Sequence, residues 1–294
     1  MRPQVITWAT LVLNGLLFGV NLFVAFISNS HAVLSQAVYT ISDLVGGVAL
    51  MWGYTVSLRP ADPTHPFGRG KERFFWAFTA SLITFSITGL VTLLYGLGQV
   101  TDPEPVTHFP AALASVGATL ATSAVGIFVT MRELRRGQES LQSFLESAHQ
   151  GLKTIFYQDV VSVCGSAVAL IGIALVAWTH DYVVDGIAAS GVGAILVGMG
   201  FVLAAETREF LVGRAISTGA ASQLVAIVER DPRVRRVRVF QSMMLGPDDA
   251  LVAIKVNFVD ALNTDQIESA IDQLSLAMRQ AIPAVRHIII EPES

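Results

Sequence analysis

Cysteine is almost absent from this chain. The single one, Cys164, lies inside an apolar run, so a disulfide-stapled secreted scaffold is excluded. Charge is scarce too: 14% of the 294 residues are Asp, Glu, Lys or Arg, against about a quarter in an ordinary soluble domain. The formal net charge of -4 leaves no basic excess with which to hold nucleic acid. Catalytic motifs are missing as well. There is no H-E-x-x-H and no nucleophile elbow, and Gly68-x-Gly70 lacks the Ser or Thr after Lys71 that a phosphate loop needs. An enzyme is therefore not expected, nor a resident cofactor. No internal repeat or low-complexity tract is visible.

What the chain has in abundance is apolar surface. Hydrophobic residues make up 52% of it, and the mean hydropathy is +0.57. Runs of about 20 apolar residues predict six membrane helices at roughly 5–28, 32–57, 74–100, 110–131, 153–178 and 182–205. The first run is span-length and has no clear small-residue cleavage site, which argues against a signal peptide. Of the five breaks between runs, Asn29–His31, Thr101–Phe109 and Thr179–Asp181 hold no Lys or Arg. The other two hold Arg59, Arg69, Lys71 and Arg73, then Arg132, Arg135, Arg136 and Lys153; with Arg2 and those after Glu206, all 19 basic residues fall on one side. The positive-inside rule makes that side the cytoplasm, with both termini in it and an integral, multi-pass protein of the plasma (inner) membrane as the expectation.

After Glu206 the pattern becomes that of a small soluble unit, so the division expected is a transmembrane domain over 1–206 and a cytoplasmic domain over 207–294. A helix is predicted at about Ala220–Arg230. Alternation over Val234, Val237 and Val239, a Leu245-Gly246-Pro247-Asp248 turn, and Val252, Ile254, Val256 and Phe258 on one face predict a hairpin. A second helix runs from Thr264, read as its N-cap, to about Gln280, and a last strand covers Val285–Ile290. The order α-β-β-α-β is compatible with a ferredoxin-like α+β domain.

Ionisable residues at hydrocarbon depth are few: Asp43 in the second helix and Asp159 in the fifth, with Asp185 near the outer start of the sixth. A carboxylate there costs several kcal/mol unless solvated, paired or metal-bound. Two readings stand. Asp43 and Asp159 line one polar cavity, or each is a hydrogen-bonded structural carboxylate between helices. Carboxylates from two helices suit a hard or borderline divalent cation. Gln36, Tyr39 and Asp43 share a helical face, Gln158 adjoins Asp159, and Asn14 and Asn21 line one face of the first helix, either towards the cavity or in interhelical hydrogen bonds. By rise per residue, Asp43 lies about 22 Å from its helix's cytoplasmic end and Asp159 only about 10 Å, so the fifth helix is expected to start before Lys153, whose long stem can snorkel. His31, His108, His149, His180 and His287 have no His at i+3 or i+4 and read as surface or structural. In the sixth helix, Gly186-x-x-x-Ser190 and Ser190-x-x-x-Ala194 read as packing faces.

The segment His65-Pro66-Phe67-Gly68-Arg69-Gly70-Lys71-Glu72-Arg73-Phe74-Phe75-Trp76 resembles the cytoplasmic-loop signature of the cation diffusion facilitator family. Ser35–Asp43, Asp159–Gly165 and Val184–Ser190 are similar to its second-, fifth- and sixth-helix motifs, and Leu211-Val212-Gly213-Arg214, Leu245–Asp248 and Ile290-Glu291-Pro292 to its tail. The resemblance implies a homodimeric antiporter exporting zinc, manganese or iron in exchange for protons. It also implies a central site at paired positions four apart, which here hold Tyr39 with Asp43 and Ile155 with Asp159. The family usually places His or Asp at each. Gln158 stands where many relatives carry Glu, and Met244 where the tail motif often has His, which argues against a tail zinc site. The departures keep a second expectation open, a transport-silent partner on the same dimer scaffold.

Overall fold

A computed structural model describes residues 31–103, 109–137, 141–146, 148 and 150–293, together with isolated helical positions between residues 12 and 23. The first predicted membrane segment therefore lies largely outside the described residues. The helices of the apolar part are α1 (His31–Ser57), α2 (Glu72–Thr101), α3 (Phe109–Arg136), a short α4 (Leu141–Glu146), α5 (Gln150–Thr179) and α6 (Val183–Val212). Among the described residues, three helices are long and apolar enough to cross a membrane: α2, α5 over Leu152–Thr179, and α6. Phe128, Trp178 and Phe201 point outwards on α3, α5 and α6, as lipid-facing residues do. The protein is an integral, multi-pass membrane protein with a small C-terminal domain built on a sheet.

The helices outrun the apolar stretches on the side that carries this domain. α3 continues to Arg136, α5 begins at Gln150 and α6 ends at Val212, against predicted limits of 131, 153 and 205. Apolarity marks where lipid stops. The hydrogen-bond ladder continues beyond it, through helix-forming charged residues such as Arg132, Glu133, Arg135 and Arg136. α6 stops where Gly213, at φ 125°, takes a conformation that a Cβ would disfavour.

α2 and α6 pack along one another through bare backbone. A Cβ on Gly89 would lie 2.7 Å from the Val197 nitrogen, and one on Gly186 2.8 Å from that of Val100. Gly96 faces Ser190 and Gly193 faces Leu93 just as closely. Each stripe repeats every seven residues, Gly89 and Gly96 against Gly186 and Gly193, the interval at which a helix returns to one seam. The predicted Gly186-x-x-x-Ser190 face does pack on α2, whereas Ala194 of the predicted Ser190-x-x-x-Ala194 face is exposed and Gly193 takes its place in the seam. In the middle of α2, Leu82–Ile87 forms a π-helical stretch.

The C-terminal domain comprises α7 (Thr218–Glu229), β1 (Val234–Gly246), β2 (Asp249–Phe258), α8 (Thr264–Ala281) and β3 (Val285–Pro292). β1 pairs antiparallel with β2, and β2 parallel with β3. The parallel step requires a crossover, which α8 supplies. Val252, Ile254 and Val256 are buried with Leu224 and Val228 of α7 and Ala270, Leu274 and Met278 of α8. Each fully buried aliphatic side chain contributes about 1.5–3 kcal/mol. The α8 cap corrects the sequence reading. Asn263, not Thr264, is the N-cap: its Oδ1 accepts from the Gln266 amide at 2.9 Å while Gln266 Oε1 accepts from the Asn263 amide at 3.0 Å. The reciprocal pair satisfies two orphan donors, which a lone hydroxyl at Thr264 could not.

Phe74 of α2 and Phe210 of α6 belong to this same core, with ring centroids 5.0 Å apart. The membrane helices thus penetrate the C-terminal domain rather than merely tether it.

Candidate metal site

α1 carries Gln36, Tyr39 and Asp43 at intervals of three and four along continuous helix; their side chains lie outside the described residues, as do Asn14 and Asn21. Next to Asp43 the α1 backbone meets the π-helical stretch of α2. The Thr84 hydroxyl donates to the Ser42 carbonyl at 3.5 Å, and Gly46 leaves the room that Thr84 occupies. Thr84 is buried, and the Ser86 and Thr88 hydroxyls are buried with no hydrogen-bond partner among the described residues. A π-helical turn widens the ladder by one residue and is common at functional sites. No signal in the sequence marks this one, because Leu82–Ile87 reads as ordinary apolar helix.

Asp159 lies about 13 Å along α5 from Gln150, which brings it nearer the depth of Asp43, about 21 Å from Ser57. Its carboxylate rests against Gly126 of α3, where a Cβ would come within 2.7 Å of Cγ. No described side chain donates a hydrogen bond to it. Gln158 and Ile155 are half-buried beside it, and Ser123 and Ser162 are buried one turn away on α3 and α5. Among the described residues no group of three or more His, Cys, Asp or Glu side chains converges. Asp185 sits in the first turn of α6, far along the chain from this level.

Lys153 does not snorkel. Its side chain is 0% exposed and Nζ lies 2.6 Å from Glu206 Oε1 on α6. Helix α5 does begin before it, at Gln150, and Lys153 lies on the face of α5 that is turned to α6.

The loop between α1 and α2 is prefolded and grips the C-terminal domain. Asp62 accepts from the Thr64 and His65 amides, both at 2.8 Å, and from Arg69 Nη2 at 3.1 Å. The Thr64 hydroxyl, with Arg69 and His65, holds the Asp62 carboxyl well below the usual carboxylate range. Gly68 at φ 78° turns the chain. Gly70 then lies flat on the β1–β2 turn, where a Cβ would come 3.1 Å from the Gly246 Cα. Lys71 Nζ donates to the Leu211 carbonyl at 3.4 Å, and Arg73 reaches from over the Tyr54 ring, at 5.2 Å, to Asp248, at 3.4 Å. The Gly68-x-Gly70 pair is thus a docking turn. His287 is half-buried, edge-on to Phe67 at 5.2 Å and 3.6 Å from Asp249. His180 sits exposed at φ 56° just beyond α5; His31, His108 and His149 have side chains outside the described residues.

The cation efflux transmembrane domain, as a family, matches residues 7–212 of this chain, most of its length. The chain belongs to the cation efflux family. Members of this family, also called cation diffusion facilitators, are transporters and not enzymes. Metal tolerance protein C4 of Arabidopsis thaliana is 21% identical over 95% of this chain and 71% of its own length. The mitochondrial proton-coupled zinc antiporter of Homo sapiens is 24% identical over 87% of this chain, which spans 46% of that protein. The cation-efflux pump FieF of Klebsiella pneumoniae is 23% identical over 97% of this chain and 91% of its own length. The π-helical stretch and Asp159 both lie inside the matched span.

Proposed function

We propose that this chain is a secondary transporter that exports a divalent transition metal, zinc, manganese or iron, from the cytoplasm in exchange for protons. The observation that carries the reading is Asp159: a carboxylate within a membrane helix, seated against the bare backbone of Gly126, with no side-chain donor among the described residues. Such a group is maintained at a cost of several kcal/mol, which a bound cation or proton offsets. Asp43 on α1 supplies the second carboxylate, with Tyr39 and Gln158 as auxiliary oxygen donors and Gln36, Asn14 and Asn21 lining the cavity. An all-oxygen set is harder than a His-containing one and shifts preference towards manganese or iron(II) relative to zinc.

Coupling follows from competition. A carboxylate cannot hold a proton and a metal on the same lone pair, so inward-facing metal capture releases protons and outward protonation releases metal. Six transmembrane helices over residues 1–206 rock about the fixed site. Residues 207–294 form a ferredoxin-like cytoplasmic domain that serves homodimer contact and regulation. Both termini are in the cytoplasm, and the plasma (inner) membrane is the location this reading assigns.

Tyr39 and Ile155 favour a second reading. With an aliphatic side chain at one of the four paired positions, the chain could be a transport-silent partner that keeps the scaffold. The deciding experiment is proton-gradient-driven uptake of zinc, manganese and iron(II) into proteoliposomes by wild type, Asp43→Ala and Asp159→Ala. Uptake by wild type and loss in both variants is expected; a folded wild type that moves none of the three metals sinks the transporter reading.

A further inference from the structure

α5 is held to its neighbours in two different ways. Towards α3 it presents the Asp159 carboxylate on Gly126 beside an apolar cluster of Phe156 and Val160 with Ile127 and Leu134, and towards α6 its apolar contacts, Gly172 against Ala188 and Gly165 against Val192, end in the ion pair of Lys153 and Glu206. α6 is seated on α2 backbone against backbone at the Gly89, Gly96, Gly186 and Gly193 contacts. A helix carrying a transport site must shift against this pair for access to alternate. Lipophilic side-chain contacts permit such a shift at small cost; a buried ion pair does not, since parting it leaves two charges unpaired in a poor solvent.

We infer that Lys153 and Glu206 form a latch on the domain-side ends of α5 and α6 that sets the balance between two access states, as positioning residues rather than metal ligands. The pair is buried at Lys153 and partly open to solvent at Glu206, whose side chain is 22% exposed. Water therefore reaches one member and can solvate it when the helices part. The surroundings are polar enough to hold the charges in place: Thr154 follows Lys153 on α5, and Thr207 follows Glu206 on α6, both buried. Tyr157, one turn above Lys153, lies within electrostatic reach of Glu206. Lys153 and Asp159 are six residues apart, so they sit on different faces of α5, and the latch acts on the site through the helix and not by touching a bound cation. This inference rests on the transporter reading above, but it is tested without it.

The test uses the full chain in inside-out vesicles, with Cys164→Ala and Ile155→Cys introduced. Position 155 shares the Asp159 face, so its alkylation by a membrane-impermeant thiol reagent reports water access from the domain side. Lys153→Met with Glu206→Met removes both charges at similar volume, and should raise the alkylation rate about threefold or more, the shift expected when one state loses its lock. Lys153→Glu with Glu206→Lys restores a pair and should bring the rate back towards wild type, and it serves as the readout if the double Met variant does not fold. Alkylation unchanged in folded variants whose melting temperature has moved would overturn the latch and leave a structural staple. Loss of all metal uptake in wild type, with the alkylation difference intact, would sink the transporter reading and leave the latch standing.

Discussion

The carboxylate of Asp159 on α5 has Gly126 of α3 as its floor, with no Cβ between them. The space the carboxylate fills is created by one missing methyl group. Gly126→Ala should force the carboxylate aside or part α3 from α5, at about 1–3 kcal/mol. Metal uptake is expected to fall at least about tenfold with the chain still inserted and folded, measured in proteoliposomes against Gly117→Ala on the same helix, whose added Cβ meets nothing.

Removing the charge while keeping the shape separates binding from packing. Asp159→Asn and Asp43→Asn should each abolish stoichiometric metal binding by titration calorimetry and raise or leave unchanged the melting temperature, because the cost of holding an intramembrane carboxylate is removed. A variant that still binds one equivalent of metal would remove that residue from the site.

The α2–α6 seam predicts a stability effect unconnected with metal. Gly193→Val places a side chain where the Leu93 backbone runs, and should cost several kcal/mol, seen as aggregation in detergent or a melting temperature at least about 10 °C lower. Gly191→Val, on the same helix with open space around it, should be tolerated.

In the C-terminal domain the Asp231 carboxylate is bound fork to fork by Arg233, at 2.9 and 2.7 Å, and its pKa is lowered mainly by that hydrogen bonding. A lowered folded-state pKa contributes stability that is present above the ordinary carboxylate pKa of about 4 and disappears as pH falls through the folded value. Asp231→Asn should therefore destabilise the protein at pH 7, by up to about 1 kcal/mol for a partly exposed pair, and have a shrinking effect below pH about 4. Thermal unfolding of wild type and variant across pH 2–7 checks the sign. A difference that grows on acidification contradicts it.

The reciprocal cap at Asn263 gives a smaller, cleaner number. Asn263→Ala should cost about 1 kcal/mol and Thr264→Ala much less, since Thr264 makes no cap hydrogen bond. Denaturant unfolding followed on the C-terminal domain distinguishes the two.

Much of the architecture is carried by short-range pattern, and that is why it could be read directly. Apolar runs set the approximate place of α1, α2, α3, α5 and α6, because a single segment in hydrocarbon satisfies its backbone only as a helix. The alternation of Val252, Ile254, Val256 and Phe258 determined which face of β2 is buried, because a strand repeats every two residues. The two intramembrane aspartates stood out by cost alone. Tertiary structure decided what no period encodes: that Gly126 is the floor under Asp159, that Gly70 docks on the β1–β2 turn, that α2 opens into a π-helical stretch beside Ser42, and that Lys153 is spent on Glu206. Each of these joins residues dozens of positions apart. Solvent cost acts on one residue at a time and so is written along the chain, whereas steric room and charge pairing exist only between segments and appear when the helices are packed.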